Sequence, residues 1–264
     1  MILPEIDVCI TAARRPDVLS RTLASFEAGL FRHFRIRRVI ANIDPVFGSF
    51  DEGEDCARIL RDLDPDAEIY CPKASGFAAA VARTWLNSRT ELILHLEDDW
   101  LLGRTVAPDD ILPRFADAAV GQVSFNHANK NWDIPGKGPF CYIKRSRRML
   151  GVALPFKVRM PNFLTGPSFL RGDFARAAAR RMDPQFDPEK QFCRGLNPVL
   201  EAFVAPYRNL ILGEMGAYYI EDIGRDWRAA RGIEKRIVAG RSVWHASPDL
   251  CPPGAASDQP RLAA

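Results

Sequence analysis

No apolar stretch in the sequence approaches the roughly 18 residues that cross a bilayer, so a membrane-spanning class is not expected. Cys-x-x-Cys pairs are missing: the six cysteines, at 9, 56, 71, 141, 193 and 251, are widely spaced, and a zinc knuckle or thioredoxin-like site has no support. An excess of one charge is missing too. The 36 Lys+Arg stand against 33 Asp+Glu, and a net charge of +3 does not argue for nucleic-acid binding. Gly (18) and Pro (20) are too few among 264 residues for a collagen-like or low-complexity chain. No internal repeat or clear linker interrupts the sequence. The N-terminal MILPEIDVCITAARR has no basic leader ahead of its apolar run, so it reads as a first strand and not as a signal peptide. Reduced thiols in a cytoplasmic protein follow as the expected setting.

What is present is ordinary globular composition, 47% hydrophobic and 26% charged, at a length that can bury a substantial core. The first hundred residues alternate strand and helix. Strands are expected at residues 5–11, 38–43, 67–71 and 91–96, with helices at 51–63 and 77–86 and another opened by Pro16 and carried by Leu19, Leu23 and Phe26. This alternation predicts a doubly wound, mainly parallel sheet with flanking helices, whose ligands sit at the carboxyl ends of its strands. Beyond it the periodicity weakens. Expected there are a helix at 108–119, a strand at 120–125, a polar loop at 126–138 and paired strands at 140–143 and 151–158 flanking a basic run. A helix near 173–181, another around Gln191 and a strand at 218–223 follow. We read residues 1–250 as one domain, with a nucleotide-binding half at 1–102, an acceptor half at 103–250, and a frayed tail at 251–264.

Charge is unevenly distributed. Residues 51–68 are acidic, Lys144, Arg145, Arg147 and Arg148 form a basic run, and 225–241 is arginine-rich. Each run reads either as a solvated face or, near a site, as a surface for an anionic substrate or an acidic membrane. The loudest feature is LILHLEDDW, an apolar strand ending in Glu97, Asp98 and Asp99. Carboxylates crowded this closely repel one another, and a divalent cation removes the penalty. Oxygen donors suit Mg²⁺ or Mn²⁺, with diphosphate oxygens completing the shell. The competing reading is a solvent-facing acidic turn.

Thr11-Ala-Ala-Arg-Arg-Pro16, Ile43-Asp44, Lys73-Ala-Ser-Gly76 with Arg83, and Glu97-Asp98-Asp99, in that order, resemble the GT-A glycosyltransferases, especially the family 2-like group. The likeness covers roughly residues 5–102 well and the rest weakly. It implies a GT-A fold and assigns roles. Thr11 would contact the nucleotide, with Arg14 or Arg15 near its phosphates. Asp44 would accept a hydrogen bond from the base, a uracil imide being one suitable donor, or else make an Asx turn before Pro45. Lys73 and Gly76 would belong to a donor-binding loop, while Arg83 reads equally as an exposed helix residue. Asp99 matches the principal metal ligand, with Glu97 or Asp98 near the ribose or bound to metal through water. His95 reads as a core histidine, and Trp100 either as a wall of the sugar site or as a buried Trp.

A further metal ligand from late in the chain has two candidates, His245 in SVWH and Asp222 in YYIEDIG. For the catalytic base Glu189, in Asp187-Pro188-Glu189, comes first; a helix N-terminal carboxylate explains it without catalysis. Asp222, within Glu221-Asp222, is the other candidate. Arg225, Trp227, Arg228, Arg231, Lys235 and Arg236 would either cover the donor diphosphate or form a cationic surface helix. The implied activity is Mn²⁺- or Mg²⁺-dependent transfer of a hexose from a nucleoside-diphosphate sugar, UDP-sugar favoured, with inversion. The acceptor would be a hydroxyl of a glycan, a lipid-linked glycan or a protein; no nucleic-acid partner is expected, and peripheral membrane contact is compatible. A sugar-nucleotide pyrophosphorylase is disfavoured because no Gly-rich phosphate loop follows the first strand. The non-catalytic alternative is a nucleotide-sugar binding protein.

Overall fold

The computed structural model describes residues 3–128, 132–149, 152–214 and 216–246. In chain order the first half runs β1 (Glu5–Ala13), α1 (Pro16–Gly29), β2 (Arg35–Asp44), α2 (Phe50–Leu63), β3 (Glu68–Tyr70), α3 (Phe77–Asn87), β4 (Leu92–Glu97) and β5 (Trp100–Leu102). Then come α4 (Pro108–Ile111), β6 (Val120–Phe125), α5 (Ile134–Lys137), β7 (Tyr142–Met149), β8 (Val152–Pro161), β9 (Ser168–Arg171) and α6 (Gly172–Ala179). The last elements are α7 (Pro188–Gln191), α8 (Pro198–Val204), β10 (Arg208–Leu212), β11 (Ile220–Asp222), α9 (Gly224–Ala229), β12 (Ile233–Val238) and β13 (Arg241–Ala246).

Seven strands form the central sheet in the order β10-β6-β9-β4-β1-β2-β3. Its neighbours are parallel except where β9 runs antiparallel between β4 and β6. β1 is flanked by β2 on one side and β4 on the other, so the chain changes direction across the sheet there. A crevice opens at such a switch point. The register aligns Ala13 with Asp44 and Thr11 with Glu97, bringing the ends of three strands to one edge.

Alternate β1 residues feed two cores, as the two-residue period of a strand requires. Val8 and Ile10 pack on Leu19 and Phe26 of α1 and Leu60 of α2. Cys9 faces Val81 and Trp85 of α3 and Phe174 of α6. Local signals set the helix starts: Pro16 opens α1, and Ser49 and Glu52 form a capping box at α2.

Several expectations change, among them the polar loop at 126–138, which contains α5. The helix expected over residues 108–119 is the single turn α4 followed by a tighter 3-10 turn at Leu112–Ala116, because Pro113 removes an amide N–H and crowds the preceding turn. The basic run lies within β7 instead of between two strands. The arginine-rich segment is not one helix: α9 ends at Ala229, Gly232 takes a φ of 63°, and β12 begins at Ile233. Trp100–Leu102 forms a strand, β5, that pairs antiparallel with β11 away from the main sheet. The 251–264 tail lies outside the described residues.

Candidate active site

A cavity of about 440 Å³ opens at the carboxyl edge of β1, β2 and β4. Thr11, Arg15, Asp44, Glu97, Asp98, Asp99, Glu189 and Asp222, all singled out from sequence, line it. Arg14, Lys73 and Gly76 are not among its lining residues. Arg14 packs over Phe50 and Gly53 of α2, and Lys73 is exposed. Gly76 acts indirectly, its N–H donating to Asp44 Oδ2 at 3.0 Å. The His245 backbone lies in β13 opposite Glu234, and its side chain is outside the described atoms.

On the β1–β2 side, the Thr11 hydroxyl is buried with no hydrogen-bond partner among the described residues. Asp44 accepts from Asn42 Nδ2 at 2.8 Å as well as from Gly76, and the Val46 N–H that an Asx turn would use donates to the Asp44 backbone carbonyl instead. Burial pushes its carboxyl up, and those two donors oppose the shift. Phe47 and Phe77 supply apolar wall beside it. Phe47 has a φ of 69°, a left-handed conformation costly for a residue with a Cβ.

The acidic run divides by orientation. Asp98 turns inward: Arg15 meets its two oxygens at 2.5 and 3.2 Å, and the Ala13 N–H donates at 3.0 Å. Burial pushes the Asp98 carboxyl up and the Asp99 charge adds to this, while the forked Arg15 contact and the Ala13 N–H oppose it. Burial likewise opposes the Arg15 charge, but Asp98 and Asp99 overcome it and hold the guanidinium well above its ordinary value. That guanidinium lies against both Phe47 and Trp227, at 5.5 and 5.3 Å, and the two rings also touch each other, their centroids 5.9 Å apart.

Asp99 faces the cavity. Its Oδ2 lies 3.1 Å from both Arg15 Nη2 and Arg228 Nη1. Asp222 arrives from β11, with its Oδ2 4.0 Å from Arg228 Nη2. The approach is close enough that a Cβ on Gly224 would stand 1.8 Å from Asp99 Oδ2, so only glycine fits there. Burial first and the Asp99 charge second push the Asp222 carboxyl up. Two neighbouring carboxylates already bridged by a guanidinium, the Asp99 charge raising Asp222, fit a hard divalent cation. Among the described residues no three His, Cys, Asp or Glu side chains cluster as a complete metal cage. Two carboxylates plus phosphate oxygens are nevertheless a usual Mg²⁺ set.

Glu189 lines the same cavity from the first turn of α7, behind Asp187, which caps that helix. Its Oε1 accepts from both the Thr165 N–H at 3.0 Å and the Thr165 hydroxyl at 3.2 Å. Trp100 lines the cavity, donates to Glu97 Oε2 at 2.8 Å and meets His127 edge to face. His95 stays in the core, where it accepts from Trp85 Nε1.

Sequence reading missed Phe47, Phe77, His127 and the Thr165–Glu189 bond. Phe47 had a signal: an aromatic residue just past a strand end at the ligand edge. The others meet the site only through pairings distant in sequence.

No family model matches the sequence, and no curated protein matches it either. Among solved structures it is similar to the mannosyltransferase PcManGT from Pyrobaculum calidifontis, solved in complex with GDP-Man and Mn²⁺. The TM-score is 0.54 at 13% identity, over 88% of this chain and 60% of that one. This chain therefore spans less than two thirds of that protein's length. The fold is the GT-A, Rossmann-like fold expected from the sequence.

Proposed function

We propose that the protein is a glycosyltransferase using a nucleoside-diphosphate sugar. The observation that carries the reading is the convergence of Thr11, Asp44 and Glu97 from three adjacent strands on one cavity that Asp99, Asp222 and Glu189 also line. Asp44 and the Phe47 and Phe77 rings form the base pocket, and a carboxylate acceptor there suits the imide N–H of uracil. UDP-sugar is thus the favoured donor. Glu97, whose carboxylate accepts from Trp100, would serve the ribose.

Asp99 and Asp222 would hold Mn²⁺ or Mg²⁺, with His245 as a third candidate ligand. When bound, such an ion neutralises charge on the departing nucleoside diphosphate. Arg225 and Arg228 line the same side and offer fixed positive charge to the diphosphate. Glu189, held by Thr165 in the cavity wall, takes the proton of the acceptor hydroxyl as it attacks the anomeric carbon. Attack opposite the leaving group inverts that centre. The mannosyltransferase neighbour, solved in complex with GDP-Man and Mn²⁺, supports the reading at the level of fold.

Incubation with UDP- and GDP-hexoses and Mn²⁺, following release of nucleoside diphosphate, tests it. Slow release with water as acceptor from at least one donor is expected. No release from any donor, with no nucleotide binding, would overturn the proposal.

A further inference from the structure

β7 and β8 form a two-stranded ribbon that pairs with no other described strand. Residues 142–161 contain Lys144, Arg145, Arg147, Arg148, Lys157 and Arg159 and not one Asp or Glu, while residues 149–156 (MLGVALPF) carry no charge. Apolar residues thus sit between two basic shoulders.

The pairing register gives the ribbon two distinct faces. Lys144 is opposite Arg159 and Ser146 opposite Lys157, and these four side chains are all exposed. Their intervening neighbours Ile143, Arg145, Val158 and Met160 are half-buried. Arg145 ties that second face to the body, reaching Glu201 at 2.8 Å and the Cys193 carbonyl at 3.0 Å. The outer face therefore has a fixed orientation. Cross-strand like charges repel, and among the described residues no carboxylate pairs with Lys144, Lys157 or Arg159. Beyond them the register shifts and residues 154–156 of β8 have no cross-strand partner; in that bulge Pro155 is exposed and Phe156 keeps 52% of its surface in solvent.

We propose that this ribbon docks on an anionic lipid surface, its basic face on the headgroups and Phe156 in the interfacial zone. Basic side chains with no carboxylate partner, Arg159 among them stacked over Tyr142 at 4.4 Å, answer anionic headgroups, and an exposed apolar residue beside them gains by leaving water. A nucleic acid would satisfy the charges but gives the apolar residue nothing. β8 continues within a few residues into Leu164–Pro167, which line the cavity, so docking brings the cavity wall to the membrane. The acceptor class that follows is a hydroxyl on a lipid-anchored molecule. That last step rests on the glycosyltransferase reading, whereas lipid binding does not.

Co-sedimentation of the full chain with vesicles of phosphatidylcholine, alone or mixed with phosphatidylserine, tests the proposal. Binding is expected only with phosphatidylserine, weakening as salt rises. Lys157→Glu with Arg159→Glu should lower the partition coefficient at least about tenfold, and Phe156→Ser should lower it while keeping the salt dependence. These positions lie outside the cavity, so UDP binding and the thermal midpoint serve as controls for folding. Equal binding to both vesicles, unchanged binding by the double variant, or tighter binding to a DNA duplex than to vesicles would overturn it. Vesicle binding without any nucleotide binding would retain the docking surface and refute the transferase reading instead.

Discussion

Arg15 Nη2 lies 2.5 Å from Asp98 Oδ1 and 3.1 Å from Asp99 Oδ2, so one buried guanidinium organises two of the three acidic residues. The two carboxylates consequently differ. Asp98 is a support enclosed with Arg15, and Asp99 is presented to the cavity with Arg228 on its other flank.

Arg15→Ala should strand the Asp98 charge in a buried site. Removing one partner of such a pair costs about 3–5 kcal/mol, so the variant should unfold at distinctly lower urea. A loss under about 1 kcal/mol would mean that Asp98 is neutral in the folded protein.

Gly224→Ala should damage the site through geometry alone. The new Cβ would overlap the Asp99 carboxylate, so α9 or Asp99 must move. A loss of stability of about 1–3 kcal/mol is expected by denaturant titration, together with weakened nucleotide binding. Unchanged binding and stability would show that Asp99 and α9 are not packed as described.

His95 sets a pH dependence. Burial lowers its folded value to about 3, from an ordinary 6.5. The unfolded chain therefore takes up this proton first, and stability is lost as pH falls from about 6.5 toward about 3. For one such group the loss between about pH 7 and about pH 5 is roughly 2 kcal/mol. His95→Gln keeps an acceptor for Trp85 and should flatten that slope in unfolding measured across the range. An identical slope would place the effect elsewhere.

Glu189→Gln should separate chemistry from donor binding. Turnover should fall by about 10²–10⁴, as for loss of a general base, while UDP affinity stays within about twofold. Equal turnover would leave Glu189 as a helix N-terminal carboxylate only.

The half of the site built from β1, β2 and β4 was legible in the sequence because it depends on local pattern. Parallel strands end at a ligand edge, and Thr11, Asp44 and Glu97 are simply the residues at those ends. The other half was not. Arg228 reaches Asp99 across 129 positions, which no spacing rule reports. β10 joins the sheet edge beside β6, and the β12–β13 hairpin interrupts what reads as a cationic helix; both depend on pairing partners, not on composition. Asp98 illustrates the same point, since its place in an acidic triplet says nothing about which carboxylate faces inward.

The central claim, metal-coupled binding of a nucleoside diphosphate, is tested most directly by calorimetric titration of UDP, with GDP alongside, in Mn²⁺ and in chelator. Asp99→Ala is carried in parallel. The account predicts binding at least about tenfold tighter with Mn²⁺ for the parent chain, and loss of that coupling in Asp99→Ala. Nucleotide binding that ignores Mn²⁺, or an Asp99→Ala variant that responds like the parent, would contradict it.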